Sequence, residues 1–181
     1  MIRTAVPEDA RTIGALKVRA WRAAYAGFMS PGFLDGLDPV SDAEDWADYL
    51  AELPDEHRLW VVQQGDAVAG FCRTGPADQD QDSDLGPSAA EVYGLYVEPD
   101  RIGTGLGRRL FAHSVADLEG RGYGPLCVYA YVPNALAMRF YERAGFDRDG
   151  TSRAADDSGI GVLEARLVKP DRRGENRTYS S

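Results

Sequence analysis

The chain has 181 residues, of which 44% are hydrophobic and 27% are charged. This length and composition suit one compact domain over residues 1–169 with a polar tail over residues 170–181. The 29 acidic and 20 basic residues give a net charge of −9, which repels phosphate backbones and anionic lipid. We therefore expect no nucleic-acid partner and no attachment to a membrane surface.

Cysteine and histidine usage indicates a reducing compartment and no structural metal. Cys72 and Cys127 each lie in an apolar run, which is typical of buried free thiols. A disulfide between them is the alternative. With His57 and His113 as the two histidines, no metal-ligand spacing is present. The chain has neither an apolar signal core nor the roughly 18 consecutive apolar residues of a membrane span, so we expect a cytoplasmic protein.

The first half of the chain predicts a strand, two helices and a hairpin. A proline at the first helical position, a Ser41-x-x-Glu44 capping box and a Gly65-Asp66 turn mark three of these elements. The expected elements are a strand over Met1–Val6, a helix over Pro7–Ala26, a helix over Ser41–Leu53, and paired strands over Leu59–Gln64 and Ala67–Arg73. Residues 27–40, between the helices, are expected to form a loop.

Two features of this half leave alternatives open. The stripe of Val18, Trp21 and Tyr25 on the first helix either widens the core packing or forms one wall of a cleft. Gly75–Ser88 has low hydrophobicity and contains four aspartates. We favour a solvated mobile loop for it over a segment that attracts a cationic substrate.

From Glu91 onward, extended segments alternate with helices. The expected elements are strands over Glu91–Val97, Leu126–Val132, Phe146–Arg153 and Ile160–Val168, and helices over Gly105–Glu119 and Asn134–Ala144. Strand, helix, strand, helix in this order indicates parallel pairing within a mixed sheet. The chain is therefore predicted to have an α/β fold.

A glycine-rich turn between the first of these strands and the following helix is a candidate ligand site. Gly103, Gly105 and Gly107 let a ligand approach the backbone closely, and the helix directs its N-terminal N–H groups into the turn. A diphosphate would fit there. A dinucleotide fingerprint requires glycine at Arg108 and a P-loop requires Gly-Lys-Ser/Thr, so both nucleotide-binding interpretations fail.

The residues around this turn resemble the GNAT superfamily of N-acetyltransferases. The family motif Gln/Arg-x-x-Gly-x-Gly/Ala corresponds to Ile102–Gly107, and a later asparagine and a Tyr-Glu-x-x-Gly-Phe segment correspond to Asn134 and Tyr141–Phe146. Residues Val18–Gly27 are similar to a bacterial branch of the family, so the resemblance covers nearly everything before Pro170. It implies a mixed, mostly antiparallel central sheet with a parallel strand pair at the cofactor cleft and helices on both faces.

The resemblance also implies acetyl-CoA as the donor. Main-chain N–H groups of the turn would hold the diphosphate, and strand-like backbone contacts would hold the pantetheine arm. The implied residues are Leu95, Tyr96, Val97, Ile102, Gly103, Thr104, Gly105, Leu106, Gly107, Arg108 and Asn134. Ile102 replaces the family's glutamine or arginine, which is expected to weaken binding unless Arg101 or Arg108 substitutes for it.

The implied acceptor is a primary amine of a small molecule or peptide, which must be neutral to attack the thioester directly. Tyr141 matches the family tyrosine near the CoA sulfur and would protonate the departing thiolate, although it could instead fill the core. Glu91 occupies the strand before the turn, where many members place the base, although a solvated glutamate is the alternative. Other members carry a glutamate base on the following strand, where this chain has Tyr129.

The identity of the acceptor is not readable from the sequence. In the family its site is shaped by the first helices, and Trp21, Tyr25 and Phe28 are the candidate contacts. The cleft is expected to open at a bulge beside Gly94. Four tyrosines would bracket it: Tyr93, Tyr96, Tyr129 and Tyr131.

The acidic residues near the expected acceptor site hint at a cationic acceptor, such as a polyamine, an aminoglycoside or a peptide N-terminus. A homodimer is common in the family, although no interface is legible in this sequence. A non-catalytic acyl-CoA-binding regulatory module, which keeps the donor site but lacks a base, is the alternative function.

Overall fold

Seven strands and five helices account for most of residues 1–155 and 161–171, the part of the chain that this computed structural model describes. The strands are β1 (Ile2–Thr4), β2 (Arg58–Gln64), β3 (Ala67–Pro76), β4 (Ala90–Val97), β5 (Leu126–Tyr131), β6 (Asp147–Ala154) and β7 (Leu163–Lys169). The helices are α1 (Ala10–Tyr25), α2 (Pro31–Asp35), α3 (Pro39–Ala51), α4 (Leu106–Gly120) and α5 (Ala135–Arg143).

The strands form one sheet in the order β1-β2-β3-β4-β5-β7-β6. All neighbouring strands are antiparallel except β4 and β5, which run parallel. The α4 helix connects these two strands, since a parallel pair needs a crossover connection. The expected mixed, mostly antiparallel sheet with one parallel pair is therefore confirmed.

Helices cover both faces of the sheet. On one face, Ile13 and Leu16 of α1 and Leu50 of α3 pack against β2 and β3, including the fully buried Phe71. On the other face, side chains of α4 and α5 pack against β4, β5 and β7. Among the described helices, none combines the length and the apolar composition that a bilayer crossing requires.

The expected elements are present, and the differences lie at their ends. The turn Pro7–Asp9 is a separate 3-10 turn, because the Asp9 carboxylate accepts from the backbone N–H of Val6 at 2.9 Å before α1 begins. The α3 helix begins at Pro39 rather than Ser41, so the prediction of a Ser41–Glu44 capping box is wrong. The cap is Asp38, whose carboxylate accepts from Val40 N–H at 2.9 Å.

Three further expectations need correction. The connection over residues 27–40 is not all loop, since α2 forms within it and Ser30 caps that helix through Phe33 N–H. The β3 strand continues three residues beyond Arg73 because Thr74–Pro76 find partners on β4. Both cysteines are free and buried, so the disulfide alternative is wrong, and burial raises the pKa of Cys72 to about 12.

The predicted last strand and tail lie partly outside the described residues. Ile160, where the last strand was expected to begin, falls in the gap 156–160, and the described strand begins at Leu163. The tail lies outside from residue 172 onward.

The β4 and β5 strands pair only at their beginnings. Their parallel register covers Ala90–Val92 against Leu126–Val128. Directly after Val92 the register between β3 and β4 shifts, which leaves Tyr93 without an opposite residue and forms a bulge beside Gly94, as the sequence predicts. The two parallel strands part from this point onward.

The segment Gly75–Ser88 is not a simple solvated loop, which corrects the expectation. Asp82 is fully buried, and its carboxylate accepts from Arg166 at 2.8 Å and from the Tyr129 hydroxyl at 2.6 Å. Asp84 and Asp149 also bind the guanidinium of Arg166, which lies almost completely inside the protein. The acidic segment is thus fastened to β7 by one internal cation.

Replacing Arg166 tests this attachment. Arg166→Met leaves the buried Asp82 carboxylate without its cation, so we expect a loss of about 3–5 kcal/mol in the free energy of unfolding. Arg148→Met is the matched control, because Arg148 and its partner Glu142 are both about half exposed, and its expected loss is below about 1 kcal/mol. Urea unfolding at neutral pH measures both values, and equal small losses would show that the buried cluster is not needed.

Candidate functional site

The parting of β4 and β5 opens a cleft of about 1490 Å³. Pockets for a single small ligand typically measure about 300–1,000 Å³, so this cleft has room for more than one. The glycine turn and the start of α4 lie at one end. The other end, here named the polar end, is lined by Arg73, Glu91, Tyr129, Arg153 and Glu164.

The glycine turn leaves backbone N–H groups directed toward the cleft. Gly103 and Gly105 both have φ of +85°, a conformation that residues with a Cβ rarely adopt. The first bond inside α4 runs from Arg109 N–H to the Gly105 carbonyl, so the N–H groups of Leu106, Gly107 and Arg108 have no partner within the helix. Together with the helix dipole, they can bind an anion.

Most residues expected to bind the donor line this cleft. They are Leu95, Tyr96, Val97, Ile102, Gly103, Thr104, Gly105, Gly107, Arg108 and Asn134. Leu106 differs, because its side chain is buried in the core and only its backbone is available at the turn. Ile102 is half exposed, and Arg101 and Arg108 lie with it along the cleft as neighbouring cations.

On the cleft side, the edge of β4 beyond Val92 pairs with no strand of residues 1–155 or 161–171. The β3 strand pairs with Leu95, Tyr96 and Val97 from the opposite side, whereas the pairing with β5 has already ended. The backbone N–H and C=O groups on this edge can therefore pair with an extended ligand. Asn134 faces the same cleft, but its side chain already caps α5 by accepting from Ala137 N–H at 3.1 Å.

Tyr141 of α5 is a buried phenol on the wall of the cleft. Its ring lies 5.3 Å from the rings of both Phe111 and Phe140, and the side chain is among the core residues. Burial raises the pKa of Tyr141 well above its ordinary value. The phenol therefore stays protonated at neutral pH and is able to donate its proton or a hydrogen bond.

Glu91 is a buried carboxyl group rather than a solvated one. It is 4% exposed, and burial is the main reason that its pKa rises to about 7. Arg153 opposes this rise from 3.5 Å, whereas the charges of Asp82 and Glu164 add to it. A group with this pKa exchanges a proton readily near neutrality.

Aromatic side chains form much of the remaining wall. Tyr93, Tyr96, Tyr129 and Tyr131 all line the cleft, as do Trp21 and Tyr25 from α1. Phe28 is not among the lining residues, which corrects its expected contact with the acceptor. Its ring packs behind the wall, 5.4 Å from Tyr25 and 5.9 Å from Tyr131.

Three charged residues of the polar end were missed by the sequence analysis. Arg153 bonds Glu164 at 2.9 Å and lies 3.6 Å from the ring centre of Tyr129. Arg73 lies over the rings of Tyr49 and Tyr93. Arg73 could have been noticed as a cation inside an apolar strand, whereas the pairing of Arg153 with Glu91, 62 positions apart, leaves no local signal.

One group of side chains has the composition of a metal site. Asp82, Glu91 and Cys127 place one possible ligand atom each within 4.8 Å of one another. However, guanidinium groups of Arg166 and Arg153 already contact the two carboxylates. Burial also raises the pKa of Cys127, so its thiol stays protonated. This donor set fits a hydrogen-bonded cluster better than a cation site.

Comparisons with known proteins agree with the resemblance. A model described as the acetyltransferase (GNAT) family matches residues 18–146. A mycothiol acetyltransferase of Cellulomonas flavigena is 37% identical over 137 residues, which are 71% of this chain and 37% of that protein. A phosphinothricin N-acetyltransferase of Streptomyces viridochromogenes is 28% identical over 112 residues, covering 62% of this chain and 59% of the relative. The chain thus spans less than half the length of the mycothiol acetyltransferase.

Solved structures show the same fold. The PaiA N-acetyltransferase of Thermoplasma acidophilum, in complex with coenzyme A, superposes with a TM-score of 0.70 at 17% identity, over 94% of this chain and 98% of that one. The ribosomal-protein-alanine N-acetyltransferase of Brucella melitensis gives a TM-score of 0.72 at 18% identity, over 94% and 99%.

The raised pKa of Glu91 predicts a pH-dependent effect on stability. Because the pKa rises from 4.5 to about 7 on folding, the native state favours the protonated carboxyl, and wild-type stability falls between these values as the pH increases. Glu91→Gln mimics the protonated form. We expect equal stability at pH 4 and a gain for the variant of up to about 3 kcal/mol above pH 7.

Unfolding in urea across pH 4–8 measures this difference. Glu44→Gln, at an exposed position of α3, is the matched control and should show no such change with pH. A constant difference between Glu91→Gln and the wild type across the range would contradict the raised pKa.

Proposed function

The chain belongs to the GNAT acetyltransferase family, and we propose that it transfers the acetyl group of acetyl-CoA to a primary amine of a small molecule or peptide. One observation carries this proposal. The unpaired edge of β4 begins directly after Val92, next to the buried Glu91, and runs to the glycine turn, with Tyr141 on the same cleft. We further propose that residues 1–169 act as a single domain.

The donor would lie along this edge. N–H groups at Gly105–Arg108 would bind the diphosphate, with Arg101 and Arg108 supplying the positive charge that Ile102 lacks. The pantetheine arm would pair with the backbone of Leu95–Val97 like an added strand. Its thioester would then lie between the two parting strands.

Glu91 would act as the general base. The amine must lose a proton before or during its attack on the thioester carbonyl carbon, and a carboxylate with a pKa of about 7 is present in useful amounts at neutral pH. The proton passes to Glu91 directly or through water. Arg153 supports the ionised form because its guanidinium lies 3.5 Å from the carboxylate.

Tyr141 would act as the general acid. As the nitrogen–carbon bond forms and the carbon–sulfur bond breaks, the sulfur leaves as a thiolate that needs a proton. The phenol of Tyr141 can supply it, because this group lies on the wall of the cleft and is protonated at neutral pH. Trp21 and Tyr25 would form the apolar wall of the acceptor site, with Phe28 supporting it from behind.

A purified-protein assay tests this function. With acetyl-CoA and a library of amines, we expect release of free CoA together with an acetylated amine detected by mass spectrometry. The rate should rise about tenfold per pH unit below pH 7 and level off above it, as a single base with the pKa of Glu91 requires. Tight CoA binding without transfer to any amine would instead favour a non-catalytic acyl-CoA-binding module.

Replacing Tyr141 separates catalysis from binding. Tyr141→Phe keeps the buried ring but removes the proton donor, so we expect kcat to fall about 10²-fold while the Kd for CoA changes little. Tyr123→Phe is the control, because Tyr123 is not among the residues lining the cleft. Steady-state kinetics and calorimetric CoA binding provide the two readouts, and unchanged kcat would remove Tyr141 from the mechanism.

A further inference from the structure

The two arginines of the polar end differ in their partners. Arg153 contacts the carboxylates of both Glu164 and Glu91. The guanidinium of Arg73 makes no ion pair and no hydrogen bond with any residue of 1–155 or 161–171, and its buried Nε lacks a partner. Among the described residues, Arg73 is therefore the charged side chain of the polar end that forms no ion pair, although its charge acts on Glu91 from a distance.

Arg73 is nevertheless held in place. Its guanidinium carbon lies 4.6 Å from the ring centre of Tyr93 and 5.1 Å from that of Tyr49. Both rings are fixed in turn, since the Tyr93 hydroxyl donates to the Pro76 carbonyl at 2.5 Å and the Tyr49 hydroxyl lies 2.9 Å from His57 Nδ1. A cation stacked between two anchored rings is organised in advance for a ligand.

We propose that Arg73 binds a carboxylate of the acceptor, so that the amine substrate is an amino-acid-type molecule with an anionic group close to its amino group. This inference rests on the proposed acetyltransferase function and narrows its acceptor class. An arginine can hold a carboxylate through two parallel N–H···O bonds, which suits such a ligand better than an uncharged amine.

The sheet register brings the two ends of such a substrate within reach. Arg73 lies opposite Gly94, and Glu91 lies opposite Gly75, two residues further along β3. Opposite residues and residues two apart share a face, so both side chains leave the sheet on the same side, about 7 Å apart along the strand. An acceptor could therefore direct its amine to Glu91 and its carboxylate to Arg73.

The charges around the cleft argue against the cationic acceptor that the sequence suggested. Asp82 and Asp84 are engaged by Arg166, so they are not available as an attractor for a polycation. Glu164 is engaged by Arg153. The remaining unpaired charge in this part of the cleft is the positive charge of Arg73.

Matched pairs of acceptors test the proposal. Amino acids with a primary amine are compared with their carboxamides, which lack the anionic group, and kcat/KM is expressed per neutral amine because the two amines differ in basicity. We expect the wild type to favour the free carboxylates by roughly 10- to 100-fold in kcat/KM, the typical size of a charge-assisted hydrogen-bond pair. Arg73→Met should bring this ratio close to 1 by raising KM for the carboxylates, and Arg73→Lys should retain part of it.

Arg11→Met is the control, because it removes one positive charge from an exposed position of α1, and it should leave the ratio unchanged. Equal kcat/KM values of the wild type for amino acids and for their carboxamides would overturn the inference. An equal fall in kcat/KM for both kinds of acceptor in Arg73→Met would also overturn it.

A binding experiment tests the role of Arg73 independently of the proposed acetyltransferase activity. Calorimetry with CoA-saturated protein compares N-acetyl amino acids with their N-acetyl amides and needs no turnover. If no amine is acetylated, the proposed function fails, while a carboxylate preference in binding that Arg73→Met abolishes still supports the role of Arg73. If the wild type binds the N-acetyl amino acids no more tightly than their amides, the proposed role of Arg73 is overturned.

Discussion

The separation of two parallel strands governs the rest of this structure. The β4 and β5 strands share only three register pairs, and the bulge at Tyr93 turns β4 away immediately afterwards. An unpaired strand edge in a protein interior costs free energy unless its N–H and C=O groups find partners. Here the edge faces a cleft large enough for an extended ligand. The bulge also places the ring of Tyr93 beneath the guanidinium of Arg73. The same irregularity therefore contributes to the free edge of β4 and to the position of Arg73.

The cleft combines two kinds of electrostatic environment. At the glycine turn, positive character comes from backbone dipoles and from Arg101 and Arg108 near solvent. At the polar end, Arg153 pairs with Glu91 and Glu164, and the burial of Glu91 raises the pKa of its carboxyl group to about 7. The same cavity can therefore bind an anion at the glycine turn and exchange a proton at the carboxyl group of Glu91.

Sequence patterns were sufficient for the fold and for the position of the glycine turn. Hydrophobic periodicity located the strands and the long helices, and the glycine spacing located the turn, because both signals are local. The start of α3 was missed since Asp38 and Pro39 form a better N-terminus than Ser41. The burial of Asp82 was not predictable, because it depends on Arg166, 84 positions away. Glu91 does line the cleft, but its burial and its contact with Arg153 could not be read from the sequence, because Arg153 lies 62 positions away.

The glycine turn has a consequence for how such a protein can diversify. Gly103 and Gly105 present main-chain groups, and the free edge of β4 does the same, so that end of the cleft depends little on the identity of the remaining side chains. The opposite end is made of side chains such as Arg73, Tyr129 and Arg153. Exchanging a few of these side chains can alter which ligand binds there while leaving the backbone of the glycine turn and of the β4 edge unchanged, and solved structures at 17–18% identity retain the same fold.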